Sequence, residues 1–318
     1  METIDVIVRE VGLRDGLQIH PTFMPTERKI AWIRAEAAAG VSEIEVTSYV
    51  PPKLIPQFAD AEQVTKLALE VPGLTVSALI PNFRGAERGI DLGVHKLNFV
   101  MSVSRTHNLK NVRREREESV ADFRKIVELA HSQPEGKRPQ IVGGLATALG
   151  CSYEGKVAVA DVVKYAVQLA EAGADEIVVP DTVGYADPAQ VRAVFKAVIA
   201  ELGTLPVAAH FHDTRGIGLA NVSAALDCGV RRFDASLAGI GGCPFAPGAT
   251  GNIVMDDLCF MLDSMGLRTG VDLEKLLLVR KILLETLPDI QMQGALARAG
   301  LPRNYASAEQ RHAAGTTA

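Results

Sequence analysis

The 318-residue sequence has few of the features that mark membrane, secreted or nucleic-acid-binding proteins. No segment contains the roughly 18 consecutive apolar residues that a membrane-spanning helix requires. The 33 basic residues are outnumbered by 38 acidic ones, and the formal net charge of −5 argues against a broad phosphate-binding surface. The first ten residues, METIDVIVRE, lack a basic segment followed by an apolar one. We therefore expect a cytoplasmic protein that binds neither membranes nor nucleic acids.

Two signatures of cofactor sites are also missing from the sequence. The cysteines form no CxxC pair, which weighs against a zinc knuckle and against a thioredoxin-like redox site. No GxGxxG motif follows the first β-branched segment, so the pattern does not favour an open dinucleotide-binding sheet. Without an export signal, the expected state of the cysteines is reduced. The four cysteines are Cys151, Cys228, Cys243 and Cys259.

Eight short segments rich in β-branched residues alternate with longer amphipathic segments. Successive short segments start about 32 residues apart on average, which is the length of one strand, one helix and two loops. Eight such units predict an α/β protein built as a (β/α)8 TIM barrel. The predicted strands are residues 6–8, 43–46, 75–79, 96–101, 140–144, 176–179, 207–211 and 233–237.

The pattern changes near residue 270. Residues 1–270 are predicted to form the catalytic barrel, and residues 271–305 to form helices, at 272–286 and 290–299, that pack against it. The charged stretch 110–119 predicts a solvent-exposed loop that leads into a helix. Residues 306–318 are rich in alanine, glycine and threonine, so we expect them to form a disordered tail.

Polar and titratable residues follow the predicted ends of several strands. In a TIM barrel these carboxyl ends meet at one face, where catalytic residues lie. The sequence therefore predicts an active site at this face. Its candidate residues are Arg14, Asp15 and Gln18; Glu45; Asp181 and Thr182; His210 and His212; and Cys243 with Asn252.

The spacing of His210 and His212 is the sharpest indication of the chemistry. Residues two apart on a strand point to the same side, and paired imidazoles suit a divalent metal that takes further oxygen ligands. Asp15, at the matching end of the first strand, supplies a carboxylate. The alternative interpretation is that the histidines form ordinary hydrogen bonds in the barrel mouth and that Asp15 caps the turn before Gly16.

The other charged candidates also have two interpretations. Arg14 could form a structural ion pair with Asp15 or stabilise an oxyanion on a substrate. Glu45 points inward near the end of its strand, where a buried carboxylate requires a partner, so we expect it to contact Arg14. Asp181 could act in catalysis or cap the turn at Thr182.

Cys243 lies in the glycine-dense segment 238–252, AGIGGCPFAPGATGN. Glycine permits backbone conformations that are closed to other residues, so the segment is typical of a mobile loop that carries a thiol. The commoner role of cysteine, a small buried hydrophobe, fits Cys228 and Cys259, which lie in helical patterns. Asn252 could cap the following helix or contribute a carbonyl oxygen to a metal.

Three segments of the sequence resemble the 3-hydroxy-3-methylglutaryl-CoA lyase family, which belongs to a superfamily of metal-dependent TIM-barrel lyases and synthases. They are residues 10–18 (EVGLRDGLQ), 210–214 (HFHDT) and 236–245 (SLAGIGGCPF). The first two indicate only the superfamily, whereas the Gly-Gly-Cys-Pro sequence is more specific for the lyases. The resemblance extends over residues 4–300.

The resemblance implies a cofactor and a set of residue roles. A Mg²⁺ or Mn²⁺ ion would be bound by Asp15, His210, His212 and Asn252. Arg14 would be the substrate-binding electrophile and Cys243 the catalytic thiol. The supporting groups would be Glu45 and Asp181 in catalysis, and Gln18 and Thr182 in substrate binding.

The implied reaction is a retro-aldol cleavage. The C2–C3 bond of a 3-hydroxy-3-methylglutaryl-CoA-like thioester would break to give acetyl-CoA and acetoacetate. Either Asp15 or His210 would serve as the base. An acyl-CoA thioester is thus the expected partner, and we expect the protein to be a homo-oligomer.

Two positions depart from the family pattern. Arg105 ends the segment 102–105 (SVSR), where Ser-x-Ser-Glu is usual, and Leu145 stands where an aromatic hydroxyl is expected. These departures leave the metal and thiol chemistry intact but predict a different wall of the acyl pocket. The alternative substrates are therefore a longer 3-alkyl glutaryl-CoA and citramalyl-CoA. A condensing synthase and a non-catalytic barrel that binds CoA thioesters are the remaining alternatives.

Overall fold

The computed structural model describes residues 4–242 and 251–315. Its eight parallel strands form a closed barrel in chain order, in which β1 pairs with both β2 and β8. The TIM barrel predicted from the sequence is thereby confirmed. The strands are β1 Ile7–Glu10, β2 Glu43–Ser48, β3 Thr75–Ile80, β4 Lys96–Ser102, β5 Gln140–Ala146, β6 Glu176–Asp181, β7 Val207–Phe211 and β8 Arg232–Ala235.

Helices cover the outside of the barrel and continue after β8. Single helices or helix pairs connect each strand to the next. The helices described are α1 Thr26–Ala38, α2 Ala61–Leu69, α3 Phe83–Leu92, α4 Arg105–Asn111, α5 Arg116–His131, α6 Val159–Glu171, α7 Pro188–Leu202, α8 Gly218–Asp227, α9 Met255–Ser264, α10 Leu273–Thr286, α11 Ala295–Ala299 and α12 Ala308–Ala313. None of the helices in the described ranges is long and apolar enough to cross a bilayer.

The helix ends follow from the local sequence. The Asp187 side chain accepts from the backbone N–H groups of Ala189 and Gln190, and Pro188 occupies the first turn of α7. Gly40, just after α1, has a φ of 96°, a conformation that glycine adopts without strain. Thr26 is the first residue of α1 and does not cap it, because its hydroxyl donates to Asp60 at 2.8 Å.

Three expectations about segments outside the strands need correction. The predicted loop 110–119 is shorter, because α4 extends to Asn111 and α5 begins at Arg116. The helix predicted over 290–299 covers only Ala295–Ala299. Within the tail expected to be disordered, Ala308–Ala313 forms α12.

Helix α12 is held against α9 by one carboxylate that composition alone does not reveal. Asp263 of α9 accepts from both the Tyr305 hydroxyl and the Ala308 backbone N–H. A capping box between Ser307 and Gln310 supplies the helix start. Local capping together with a tertiary contact therefore outweighs the low hydrophobicity of this segment.

The interior of the barrel contains a layer of charged side chains that is buried by the strands around it. The Lys96 ammonium lies 2.8 Å from Glu43 and 3.6 Å from Glu176, and the Arg9 guanidinium contacts both of these acids. Because opposite charges alternate, each buried group has a partner. This layer lies on the amino-terminal side of the candidate site and forms its floor.

Candidate metal centre

The turn after β1 carries two of the predicted site residues, Arg14 and Asp15. It is a single π-helical turn over Gly12–Gly16. A Cβ atom on Gly16 would lie 2.5 Å from the Ile240 side chain, so only glycine allows the turn to pack this closely against the segment that follows β8. The close approach fixes the backbone from which both side chains extend.

The end of β7 brings His210 and His212 beside Asp15. The Nε2 atoms of the two histidines are 3.1 Å apart. Asp15 Oδ2 lies 3.5 Å from His212 Nε2 and 4.0 Å from His210 Nε2. All three residues are buried. One potential ligand atom from each lies within 4.8 Å of the others, so the convergence predicted from the sequence is present in the structure.

The donor set fits a divalent cation. Two facing imidazole nitrogens need either one shared proton or a common positive partner between them. Asn252 Nδ2 donates to Asp15 Oδ2 at 2.7 Å, whereas its buried Oδ1 accepts no hydrogen bond from any described residue. Two imidazoles, a carboxylate and an amide oxygen form the mixed nitrogen and oxygen set that Mg²⁺, Mn²⁺ and similar ions accept.

A carboxylate behind His210 orients its ring. Asp234 Oδ2 lies 3.1 Å from His210 Nδ1, and Asp234 Oδ1 accepts from Arg9 Nε at 2.6 Å. Burial acts to raise the pKa of Asp234, but Arg9 and His210 outweigh it and lower the value to about 2. An ionised Asp234 accepts the Nδ1 proton of His210, which leaves the Nε2 lone pair facing the cluster.

Asp234 and Arg9 were not predicted from the sequence as site residues. They occupy partnered positions in the register of β1 and β8. An acid and a base at inward positions of neighbouring strands are a usable signal, but only once the strand pairing is known. The short, mixed-polarity segment 232–235 gave no such indication on its own.

Arg14 connects the Asp15 carboxylate to a second acid. Its Nη1 donates to Asp15 Oδ1 at 2.8 Å and its Nε donates to Glu45, which confirms the contact predicted between Arg14 and Glu45. The other Glu45 oxygen accepts from Asn98 Nδ2 at 2.8 Å. Burial acts to raise the pKa of Asp15, but Arg14 and the two histidines outweigh it and hold the pKa well below its usual range.

Asp181, Thr182 and Gln18 have more peripheral places. The buried Asp181 carboxylate accepts the N–H groups of Tyr185 and Ala186, at 2.9 and 3.0 Å, so it holds the loop after β6. Thr182 Oγ1 accepts the backbone N–H of Thr147 at 2.8 Å and thereby joins the ends of β5 and β6. Gln18 is half-buried just beyond the Gly12–Gly16 turn. The capping interpretation of Asp181 therefore matches the contacts it makes.

Cys243 lies outside the described residues, but the chain on both sides of it is placed. A Cβ atom on Gly241 would lie 2.6 Å from Asn252 Nδ2 and 3.4 Å from Asp15 Oδ2. Gly251 is equally confined, since its Cβ would lie 1.9 Å from the Gly239 carbonyl oxygen. The chain on both sides of this segment therefore lies beside Asp15 and Asn252.

The two departures from the family pattern do not face the site. Arg105 is exposed and donates to Glu115 on the surface, with Nε at 2.8 Å. A Cβ on Gly143 would contact Leu169 of α6, so Leu145, two residues further along β5, also faces the helix layer, where it is fully buried. The prediction that Leu145 forms a wall of the acyl pocket is therefore wrong. Gly144 and Ala146 are the inward positions at this end of β5.

Comparison with known proteins decides the family. The HMGL-like family model matches residues 5–283. The chain belongs to the HMGL-like family. Within it, the chain is 42% identical over 276 residues to the hydroxymethylglutaryl-CoA lyase YngG of Bacillus subtilis, covering 87% of this chain and 91% of that protein. It is 40% identical over 272 residues to the mitochondrial hydroxymethylglutaryl-CoA lyase of Mus musculus, covering 86% and 82% respectively.

Solved structures of the HMGL-like family share the same fold. An HMG-CoA lyase from Acinetobacter baumannii, in complex with coenzyme A and 3-methylmalate, superposes with a TM-score of 0.88 at 39% identity, covering 96% of this chain and 99% of that one. The HMG-CoA lyase of Bacillus subtilis gives a TM-score of 0.87 at 39% identity, with coverages of 93% and 98%. This chain therefore shares its barrel fold with both lyases.

Proposed function

We propose that the protein is a carbon–carbon lyase that cleaves 3-hydroxy-3-methylglutaryl-CoA into acetyl-CoA and acetoacetate. The observation that carries the proposal is the buried cluster of Asp15, His210 and His212 at the carboxyl end of the barrel, with Arg14 beside it. The hydroxymethylglutaryl-CoA lyases to which the chain is similar support the choice of reaction. An acyl-CoA thioester is accordingly the proposed substrate class.

Four residues would hold a Mg²⁺ or Mn²⁺ ion in this proposal: Asp15, His210, His212 and Asn252. When bound, such an ion supplies Lewis acidity toward the 3-hydroxyl and a neighbouring oxygen of the substrate and orients both. Asp234 fixes the ring of His210, and Arg9 fixes Asp234. The protein therefore presents the ligand atoms in place before the substrate arrives.

The other side chains would move the protons and stabilise the charge. Removal of the 3-hydroxyl proton falls to Asp15 or His210, the two candidates in the cluster. The electrons of the C2–C3 bond then pass to the thioester, so that a ketone forms at C3 and an enolate at C2. Arg14, held by Glu45, donates to a substrate oxygen that becomes more negative. Cys243 gives a proton to C2, which completes acetyl-CoA.

Product analysis with metal control tests this function. Purified protein is stripped with a chelator, supplied with Mg²⁺ or Mn²⁺, and incubated with 3-hydroxy-3-methylglutaryl-CoA. We expect equal amounts of acetyl-CoA and acetoacetate, no turnover in stripped protein, and recovery with either ion. Absence of both products from the metal-supplied protein would overturn the lyase assignment, and full turnover in metal-free protein would overturn the metal dependence.

The position of Ala146 predicts which residue limits the acyl group. Ala146→Leu fills inward space at the end of β5, and a hydrophobic wall discriminates by about 1–3 kcal/mol per methylene. We expect this variant to reduce kcat/KM for a substrate with a longer 3-alkyl group about tenfold or more relative to the methylglutaryl compound.

Leu145→Tyr is the matched comparison from the other face of β5. Because Leu145 is fully buried against the helix layer, the added bulk and hydroxyl should destabilise the protein by about 1–3 kcal/mol and leave the substrate ratio unchanged. The ratio of kcat/KM values and the thermal midpoint measure the two effects. An unchanged ratio in Ala146→Leu would show that this position does not face the acyl group.

A further inference from the structure

Two carboxyl groups lie together between the barrel wall and the helix layer, outside the site described above. Glu10 ends β1 and Glu36 lies near the end of α1, and both side chains are 0% exposed. Glu10 points away from the barrel interior, because its neighbour Arg9 points into it. The Glu10 carboxylate lies beside α1, since a Cβ atom on Gly12 would be 2.6 Å from Glu10 Oε1 and 3.0 Å from the Trp32 ring, and the two carboxyl groups are close enough to shift each other's pKa.

The partners of the Glu10 oxygens connect it to the metal centre. One oxygen accepts the backbone N–H of Gly12, and the other accepts that of Leu237 at 2.8 Å. Gly12 begins the turn Gly12–Gly16, which carries Arg14 and Asp15. Leu237 begins the 3₁₀ turn Leu237–Gly239, which leads to Ile240, whose carbonyl accepts from Asn252. One carboxylate thus holds both turns that build the cluster.

Glu36 lacks a donor for its own oxygens. Neither oxygen of the Glu36 carboxylate accepts a hydrogen bond from a residue in the described part of the chain. The indole N–H of Trp32, one turn earlier on α1, acts to lower the pKa of Glu36 but has no hydrogen-bond partner among the residues that the structure describes. Toward Glu36, the Glu10 carboxylate presents lone pairs and no donor. The N–H groups that donate to Glu10 belong to the two turns. A proton between the two carboxyl groups is what turns this contact into a hydrogen bond.

Among the residues that the structure describes, no cation neutralises the pair from the elements packed against it. Asp256 of α9 adds a third acid, and Arg280 of α10 is engaged by Asp256 at 2.5 Å and by the Gln293 carbonyl. Cys259 of α9, which also lies near both acids, carries no positive charge. Two ionised carboxylates in this buried position would therefore repel each other without compensation.

We propose that Glu36 is a positioning residue that stays protonated and donates its O–H to Glu10, so that an ionised Glu10 holds the Gly12 and Leu237 turns around the metal centre. The role differs from catalysis, because neither acid contacts the cluster itself. This positioning role rests on the proposed function only where it predicts an effect on turnover. The shared proton can be measured in protein that has no activity.

Burial is the largest cause of the shifted pKa values of both acids. It raises the pKa of Glu36 well above its ordinary value, whereas at Glu10 the backbone N–H groups of Gly12 and Leu237 act against it. A raised pKa means that the folded protein retains protons that the unfolded chain loses. The resulting stabilisation is complete below about pH 4.5, the unfolded value, and is lost as the pH rises through the raised pKa of Glu36 in the folded protein.

Glu36→Gln tests the proposal, because its amide keeps a donor at this position but cannot ionise. Glu27→Gln, at an exposed position of the same helix, is the control. We expect the infrared carbonyl band of a protonated carboxylic acid in wild type and in Glu27→Gln near neutral pH, and its loss in Glu36→Gln. Absence of that band from wild type would overturn the proposal without any variant, whether or not the protein is a lyase.

Denaturant unfolding gives the second readout. Between about pH 5 and 8, the unfolding constant of wild type should rise relative to that of Glu36→Gln by up to about tenfold per pH unit, since one proton is released. The affinity for Mn²⁺ should differ in the same way. Toward the alkaline end of this range, it should fall more in wild type than in Glu36→Gln. Parallel pH dependences of unfolding in the two proteins would overturn the shared proton. Parallel Mn²⁺ profiles, with the unfolding difference present, would overturn the positioning role.

Discussion

Replacing His212 by alanine is expected to abolish turnover and to lower the affinity for Mn²⁺ by more than about 100-fold. Outer-shell partners of a metal cost about 10- to 100-fold when they are mutated, and a direct ligand contributes more than they do. No other described residue can replace His212, because within the described part of the chain the cluster holds only Asp15, His210 and the Asn252 amide besides it. Titration of metal-free protein with Mn²⁺, followed by electron paramagnetic resonance, measures the change.

Two further variants serve as an intermediate case and as a control for this experiment. Asp234→Asn removes the carboxylate behind His210 and should reduce Mn²⁺ affinity by about 10- to 100-fold, between wild type and His212→Ala. His131→Ala changes an exposed histidine at the end of α5 and should bind Mn²⁺ as wild type does. Wild-type Mn²⁺ affinity in His212→Ala would show that the imidazole pair is a hydrogen-bonded feature of the barrel mouth.

The fold could be predicted because its signal repeats. Each unit of strand, helix and loops recurs along the chain, so an error of two residues at one boundary does not change the architecture. β1 illustrates this, since the predicted segment 6–8 begins and ends earlier than Ile7–Glu10. The C-terminal tail has no such repetition. Its helix α12 depends on the contact with Asp263, which lies 45 residues from Ala308 along the chain and is invisible to local pattern.

The site was predictable where residue type and strand position agreed. Asp15, His210 and His212 all lie at the carboxyl ends of strands or just beyond them and carry ligand chemistry, so topology alone brings them together. Leu145 shows the limit of the same reasoning. In a strand, a shift of one residue reverses the face, and the sequence did not reveal which of two neighbouring positions on β5 points inward. The register with β4 and β6 settles that question in the structure.

The buried charges were missed for a different reason. Lys29, Ile33 and Glu36 share one face of α1 at helical spacing, and all three are buried. A helical wheel marks that face, but average hydrophobicity conceals two charged residues on it. The partners that make their burial tolerable, Asp60 for Lys29 and Glu10 for Glu36, come from other elements. Pairing across elements is a tertiary property, which one chain segment does not encode alone.

Cys243→Ser is expected to lower kcat by at least about 100-fold, the contribution typical of a general acid, while KM, Mn²⁺ affinity and the thermal midpoint stay close to wild type. The glycines on either side place the chain beside Asp15 and Asn252 immediately before and after the segment that contains Cys243. A hydroxyl is a much weaker acid than a thiol, so serine preserves size but gives up proton transfer to the enolate carbon.

Cys228→Ser is the matched control, since the same atom is exchanged in a half-buried cysteine after α8, where burial raises the pKa of the thiol. It should retain wild-type kcat. A drop in both cysteine variants would point to a general effect of thiol loss. Near-normal kcat in Cys243→Ser would remove the cysteine from the reaction, and C2 would then be protonated by another group or by water. A fall in Mn²⁺ affinity in Cys243→Ser would instead assign the residue to the metal centre, because a pure proton donor contributes nothing to the binding of the ion.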